Sequence, residues 1–590
     1  MLTGPASPAV APGAAAGAPP LRILLLCHSF NSLSQRLFAE LRARGHTVSV
    51  ELDINDRVTE EAVALFRPDL LLAPFLKRRI PASIWQRLLC LVVHPGPPGD
   101  QGPSALDWAV LRGERAWGVT VLQADGAYDA GPVWAHAAFP MREAGKGSLY
   151  RREVTQAALQ ATLAAVQRYR GGARTGDAPP PAQWRSAMRQ SDRAIDWAQH
   201  GTAEVLARLR CADGQPGVLD ALWGQPCHLM DGHAASGGLM AGYAQVAPGT
   251  LLAVRDGALL RRTRDGGVWI GHVRRADATS GFKQVAEQAF AAEAAVLPRL
   301  PVPLQRDASE WGELRYTEHG PEGARVGCLR FDVHNGAMSS GRCERLRAAW
   351  LAVRARPVRV LLLWGGEDFF CNGIDLNSIE AAVHRPGDSA ADASWRNIQA
   401  MNDAALAVIE TTGCLTVSVL RGNAGAGGFF LALAADEVWA HGGVVLNPHY
   451  KNMGNLYGSE YWTYLLPRRL GEAGAQALMA QRLPLRAHEA AQMGLIDHCD
   501  EGTREGLEAR CLQRALALAA SYNLPQRLAD KQAARARDEA LRPLAHHREQ
   551  ELARMHRNFY GFDPSYHVAR HHFVHKQAPA WTPRHLALHR

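Results

Sequence analysis

Two groups of short apolar runs constrain this chain more than any other feature. The first is LRILLLCHSF (21–30), PDLLLAPF (68–75) and CLVVHPG (90–96), with TVSVEL (47–52) between them. The second is RVGCLRFDV (325–333), VRVLLLWGG (358–366) and CLTVSVLRG (414–422). Runs of strand length with little polar interruption are strands buried on both faces, as in a mostly parallel sheet covered by helices. SQRLFAELRARG (34–45) has helical periodicity and ends at a glycine stop. Residues 21–170 therefore read as one open α/β domain, and 320–505 as a second.

The intervening stretch has a different texture. GGARTGDAPPPAQW (171–184) reads as a Gly/Pro linker, AIDWAQHGTAEVLARLR (194–210) as helical, and APGTLLAVRDGALLRRTRDGGVWIGHV (247–273) as short strands ending in turns. Residues 185–290 thus form a small β-barrel-like domain. LPRLPVPLQRDASEWGE (297–313) is a second linker, and 506–590 is a helical carboxy-terminal part in which REQELARMHRNFYGF (548–562) is the clearest amphipathic stretch. The fold class is α/β and multidomain.

Composition excludes several functions. No run of 18 uncharged apolar residues occurs in the 590, so no membrane span is expected. Residues 1–20 are rich in Ala, Gly and Pro without a basic start, which suggests a disordered extension rather than a signal peptide. The net charge of +8 rests on arginine: only six of the 65 basic residues are lysines, a genomic bias rather than a nucleic-acid surface. The ten cysteines lack paired spacing and read as reduced thiols of a cytoplasmic protein. His546, His547, His556, His567, His571, His572 and His575 match no standard ligand spacing, and no metal is expected.

Two places carry chemistry. His94 sits where a buried strand runs into a Pro/Gly loop, and strand carboxyl ends are where open α/β sheets bind ligands. Asp129, in YDAGPV (128–133), lies in a turn between strands and can fold back beside His94 as a general-base pair; a structural loop histidine is the alternative. Farther on, RGNAGAGGFFLALAADE (421–437) is a glycine-rich turn opening into a helix, which presents bare N–H groups to developing negative charge. The first helical turn there carries Phe429 and Phe430 in place of an acid.

The stretch HPGPPGDQGPSALDW (94–108) with WGVTVLQADGAYDAGPVWA (117–135) resembles the 10-formyltetrahydrofolate-dependent formyltransferases, and His94 and Asp129 match that family's motif. Its asparagine, which polarises the formyl oxygen, falls on Val92, so loop amides near Gly96 would substitute. IDW (195–197), GQPGVLD (214–220) and APGTLL (247–252) resemble the same family's second domain. Residues from 324 to about 510 resemble the crotonase family of enoyl-CoA hydratases and isomerases. EDFFCNGIDL (367–376) matches its first loop and the glycine-rich turn its second, which implies an oxyanion hole from the N–H groups of Ile374 and Gly427, with Gly428 beside the coenzyme A thioester. The family's two glutamates map to Phe430 and to the vicinity of His449 and Tyr450, so hydration of a double bond is not expected. LNPHYKNMGNLYGSEYWTYLLPRRLG (446–471) offers Tyr450 and Glu460 as replacement acid–base groups, brought together by a bend at Gly454 or Gly458. The alternative is that Tyr450 packs in the core and Glu460 is a surface charge.

The pairing of these two halves resembles a family of NiFe-hydrogenase maturation factors. That resemblance implies formyl transfer from 10-formyltetrahydrofolate to coenzyme A, then cleavage of formyl-CoA to CO and coenzyme A. The CO would become a ligand of the hydrogenase iron, with the iron-ligand assembly machinery as partner. Two alternatives stay open: an amine formyltransferase with a catalytically inactive crotonase scaffold, and a folate- and CoA-binding module without turnover.

Overall fold

The computed structural model describes residues 19–276 and 281–590. The expected disordered extension lies, up to residue 18, outside the described residues. Strands β1 (Arg22–Cys27), β2 (Thr47–Leu52), β3 (Leu70–Phe75), β4 (Cys90–His94), β5 (Ala116–Gln123) and β6 (Val133–Pro140) form one sheet in the order β2-β1-β3-β4-β5-β6. The first four pair in parallel and the last two join antiparallel. Alternate residues feed two cores: Ile23, Leu25, Leu70 and Leu72 pack on one face, Leu24, Leu26, Leu71 and Ala73 on the other. Burial on both faces explains the uninterrupted apolar runs.

The second sheet comprises β7 (Val218–Leu222), β8 (Gln225–Ala234), β9 (Leu251–Arg255), β10 (Ala258–Arg262), β11 (Gly267–Arg275) and β12 (Lys283–Val285). Its order is β9-β10-β11-β8-β7, with β12 on β11. The helix expected from residue 194 begins only at Thr202. Asp196 turns the chain first, its carboxylate accepting from the N–H groups of Ala198 and Gln199, a local bond that competes with helix formation. The 171–184 stretch is also more than a spacer. Asp100–Gln101 pairs with Gln183–Trp184, so this segment lies along the loop that follows His94.

The third sheet runs β13 (Leu314–His319), β14 (Val326–Phe331), β15 (Val360–Trp364), β17 (Leu415–Leu420), β19 (Glu437–His441) and β22 (His498–Asp500) in that spatial order. Beside it lies a smaller sheet of β16 (Phe369–Cys371), β18 (Asn423–Gly425), β20 (Val445–Asn447) and β21 (Leu485–Arg486). The parallel pairing of β16 with β18 sets the two loops that follow them side by side. Helices Leu507–Ala519, Leu524–Leu541, Leu544–Tyr560 and Ser565–Val574 complete this half.

The halves are joined by specific contacts. The last residues return to the first domain and cover its edge strand β2: Val50 N–H donates to the Leu586 carbonyl, Leu52 N–H to the Thr582 hydroxyl, and Glu51 pairs with His589 and Arg590. Capping an exposed strand edge in this way removes a site for unwanted pairing. Arg151 and Ser148 hold Asp368 at 2.6 and 2.7 Å, directly before β16. Gln35 accepts from Asn447 at 3.0 Å, at the end of β20. The first domain therefore touches the frame of both crotonase-like loops. No described helix is long and apolar enough to cross a membrane.

Candidate active sites

His94 ends β4 and is buried. Its Nε2 lies 2.9 Å from Asp100 Oδ2 and its Nδ1 lies 3.5 Å from Asp129 Oδ1. Asp129 thus does fold back, with φ +53, and its other oxygen accepts from the Gly102 N–H. Sequence reading missed Asp100, which makes the shorter contact. Asp100 is itself neutralised by Arg185, whose Nε donates to Oδ1 at 2.5 Å from the end of the pairing linker. The arrangement selects a tautomer: with Nε2–H donating to Asp100, Nδ1 is left as the basic nitrogen on the more open side. At 3.5 Å, Asp129 is outside direct hydrogen-bond distance and sits where it would stabilise a protonated ring. A Cβ at Gly96 would come within 2.4 Å of Asp100 and 2.5 Å of His94 Nε2, so the loop needs glycine to close over the ring. Thr120 and Trp117 fix that loop by donating to the carbonyls of Gly96 and Pro95. Val92, at the family's asparagine position, pairs with Leu122 and offers no donor.

The second centre is built around the two loops. The Ile374 and Gly427 N–H groups have no hydrogen-bond acceptor among the described residues. A Cβ at Gly373 would lie 3.3 Å from the Gly427 nitrogen, and one at Gly428 would collide with the Cys371 carbonyl, so the loops are in backbone-to-backbone contact. Ala426, which precedes Gly427, has φ +47 and ψ −133 and is anchored by donating to the Asn447 carbonyl. Holding a non-glycine residue there costs about 1–3 kcal/mol and aims the next amide. Phe430, at the first turn of helix Gly427–Leu433, stacks on Tyr450 with centroids 5.4 Å apart and planes 7° from parallel.

Tyr450 and Glu460 meet. The Tyr450 hydroxyl donates to Glu460 Oε2 at 2.5 Å and lies 3.1 Å from the Ser459 carbonyl. Both residues are buried, Glu460 with 1% exposure, so the surface-charge alternative fails. Gly454 and Gly458 both have positive φ, and a Cβ at Gly458 would strike the Tyr450 ring at 2.3 Å. The rest of the bend is left-handed backbone at Asn455, φ +59, and at Glu460 and Tyr461 themselves, φ +58 and +61. The Glu460 carboxyl lies against Gly427: a Cβ there would be 2.5 Å from Oε1. Burial raises the Glu460 carboxyl to about 7, opposed by the hydrogen bond from Tyr450. Burial and the adjacent Glu460 push the Tyr450 phenol well above its usual value, so it stays a donor at neutral pH. His449 is outside this pair; burial, with His585 and Arg482 nearby, lowers its imidazole to about 4. Cys371 lies beneath the first loop, its thiol pushed up to about 12 by burial and therefore inert.

The histidine-rich tail is more organised than its spacing suggested. His571 and His575 each reach Glu380 Oε1 at 3.1 Å, while Arg570 holds Oε2 at 2.8 Å. Asp231, His272 and His334 form a second group of this kind, with Lys283 donating to His334. In each group a basic side chain also contacts one member, Arg570 on Glu380 and Lys283 on His334.

A histidine–carboxylate centre on a Rossmann-like sheet, joined to a paired-amide centre on a crotonase-like frame, defines a formyltransferase-like unit fused to an enoyl-CoA hydratase/isomerase-like unit. The enoyl-CoA hydratase/isomerase family model matches residues 329–584. Methionyl-tRNA formyltransferase of Thiobacillus denitrificans is 25% identical over 208 residues, covering 35% of this chain and 64% of that protein. Over the whole length, hydrogenase maturation factor HoxX of Bradyrhizobium diazoefficiens is 54% identical across 97% of each chain. The crystal structure of HypX from Aquifex aeolicus in complex with tetrahydrofolic acid is 42% identical, superposes with a TM-score of 0.92, and covers 97% of this chain and 99% of that one. The chain belongs to the HypX/HoxX family of hydrogenase maturation factors.

Proposed function

We propose that this chain moves formyl from 10-formyltetrahydrofolate to coenzyme A at the His94 centre and splits formyl-CoA into CO and coenzyme A at the Glu460 centre. The CO is then available as a ligand of the hydrogenase iron. The observation that carries this reading is the second centre: two free amides suited to a thioester oxygen, with a buried Tyr450–Glu460 pair in place of the hydratase glutamates. In the first step Nδ1 of His94 takes the proton of the coenzyme A thiol, Asp100 fixes the ring, and Asp129 stabilises the imidazolium. The thiolate then attacks the formyl carbon, the bond from that carbon to the folate nitrogen breaks, and the His94 imidazolium returns its proton to that nitrogen as tetrahydrofolate leaves.

In the second step the thioester oxygen sits on the Ile374 and Gly427 amides. Ionised Glu460 takes the formyl proton, the C–H electron pair becomes the carbon lone pair of CO, and the C–S pair leaves with sulfur. The proton on Glu460 returns to the thiolate, and Tyr450 remains a hydrogen-bond donor throughout. Phe429 and Phe430, fully buried, keep out the water that would hydrolyse formyl-CoA to formate.

Two expected results follow from the geometry. Gly427→Ala places a methyl against the Glu460 carboxyl and displaces the second amide, so CO release from supplied formyl-CoA should fall about 10²–10³-fold with formyl transfer retained. An unchanged rate in a folded variant removes the oxyanion-hole assignment. Because burial holds Glu460 at about 7, its base form is lost as the pH drops through that value. CO release should be level above about pH 7 and fall about tenfold per unit well below it. A rate that rises on acidification would make Glu460 an acid. The reading as a whole is tested by following labelled formyl from the folate. Label in formyl-CoA and then CO supports it, and label in an amine product contradicts it.

A further inference from the structure

We propose that Glu551, on helix Leu544–Tyr560, is a positioning residue for the second centre: it fixes the left-handed Glu460–Tyr461 turn that carries the Glu460 carboxyl to Tyr450 and Gly427. This rests on the acid–base reading of Glu460.

Two consecutive non-glycine residues at positive φ relax unless their N–H groups are held from outside. Two remote helices do this. Asn402, on helix Ala390–Ile409, accepts the Glu460 N–H at 2.7 Å and the Ser459 hydroxyl at 2.7 Å. Glu551 accepts the Tyr461 N–H at 2.9 Å, the Thr463 N–H at 2.8 Å and the Thr463 hydroxyl at 2.7 Å. It thereby caps helix Trp462–Ala480, whose own N-cap residue, Tyr461, supplies no side-chain bond.

A neutral cap would suffice for a purely structural role, and this chain uses them elsewhere: Asn31, Ser339 and Ser389 each cap a helix. Glu551 is instead a fully buried carboxyl with no ion pair among the described residues, an arrangement that is costly without a compensating use. Burial raises it to about 8, with Glu460 contributing in the same direction. The titratable and charged groups around it are Tyr450, Tyr457, Glu460 and Tyr461 from the turn. His547, Arg548 and Arg554 flank it on its own helix, and Asp403 faces Arg548. Glu551, held higher than Glu460, is still protonated where Glu460 ionises, so it acts on Glu460 through the geometry of the turn, and the Glu460 charge in turn raises Glu551.

The test is CO release from supplied formyl-CoA across pH, comparing Glu551→Gln with the parent. The expected result is a loss of about 10²-fold in kcat with KM unchanged, as for a misplaced reacting group, and a pH midpoint moved downward because a displaced Glu460 loses part of the burial that raises it. Parental kcat overturns the proposal, and so does a loss uniform at every pH, which would reduce Glu551 to a helix cap. If Glu551→Gln does not fold, Glu551→Asp decides: it keeps the carboxyl but withdraws it from the Tyr461 N–H, so kcat should fall and the midpoint move downward as in Glu551→Gln, and parental kcat overturns the claim. Glu460→Gln run in parallel separates the two levels. If Glu460→Gln is inert and Glu551→Gln is parental, only the positioning claim falls; if Glu460→Gln releases CO normally, both fall.

Discussion

Glu460→Gln should leave formyl-CoA formation intact and cut CO release from supplied formyl-CoA by about 10²–10⁴-fold, the range for a positioned acid–base group. The substitution keeps the size of the side chain. Its amide can still meet the Tyr450 hydroxyl, which now lies 2.5 Å from Oε2, so the stacking of Tyr450 on Phe430 should survive. What disappears is the only group of the pair able to accept the formyl proton near neutral pH, since burial sets Glu460 to about 7 while it drives the phenol well above its usual range. Tyr450→Phe removes the donor without removing the base, and should give the smaller loss of the two. Stopped-flow detection of CO by a haem protein measures both. CO release at the parental rate from both variants would move the acid–base work elsewhere, with His449 the next residue to test.

His94→Ala should abolish formyl-CoA formation, by about 10²–10⁴-fold or more, and leave CO release from supplied formyl-CoA unchanged. A free thiol with a pKa of about 8.5 is mostly protonated at neutral pH, so the acceptor needs a base, and Nδ1 of His94 is the nitrogen not committed to Asp100. The variant should fold. Removing the imidazole leaves Asp100 still paired with Arg185 at 2.5 Å, so no buried charge is stranded. Chromatographic detection of formyl-CoA separates the outcomes: a near-parental rate of formation would exclude His94 as the base.

The alternating apolar runs of both α/β domains were legible because burial on two faces leaves no polar residue to disguise a strand. The segment 194–200 was misread because its apolar spacing is helical while Asp196 satisfies the backbone locally and turns the chain. Tyr450 and Glu460 could be singled out by elimination, since the family's carboxylate positions hold other residues, and the fold brings them together. The left-handed turn that does so gave no compositional signal, because it uses Glu460 and Tyr461 rather than glycine. Asp100 was missed for a related reason. Its role depends on Arg185, 85 residues away, which reaches it only because the linker pairs with the His94 loop. The return of residues 582–590 onto β2 likewise depends on an edge strand more than 500 positions earlier.

The most direct measurement is incubation of the full chain with 10-formyltetrahydrofolate carrying a labelled formyl carbon, coenzyme A and reduced haemoglobin. The account predicts labelled haem-bound CO that requires coenzyme A. The signal should vanish in His94→Ala, return when formyl-CoA is supplied to that variant, and vanish with either substrate in Glu460→Gln. Consumption of the formyl donor with the label recovered as formate or a formylated amine, and no haem-bound CO, would contradict it.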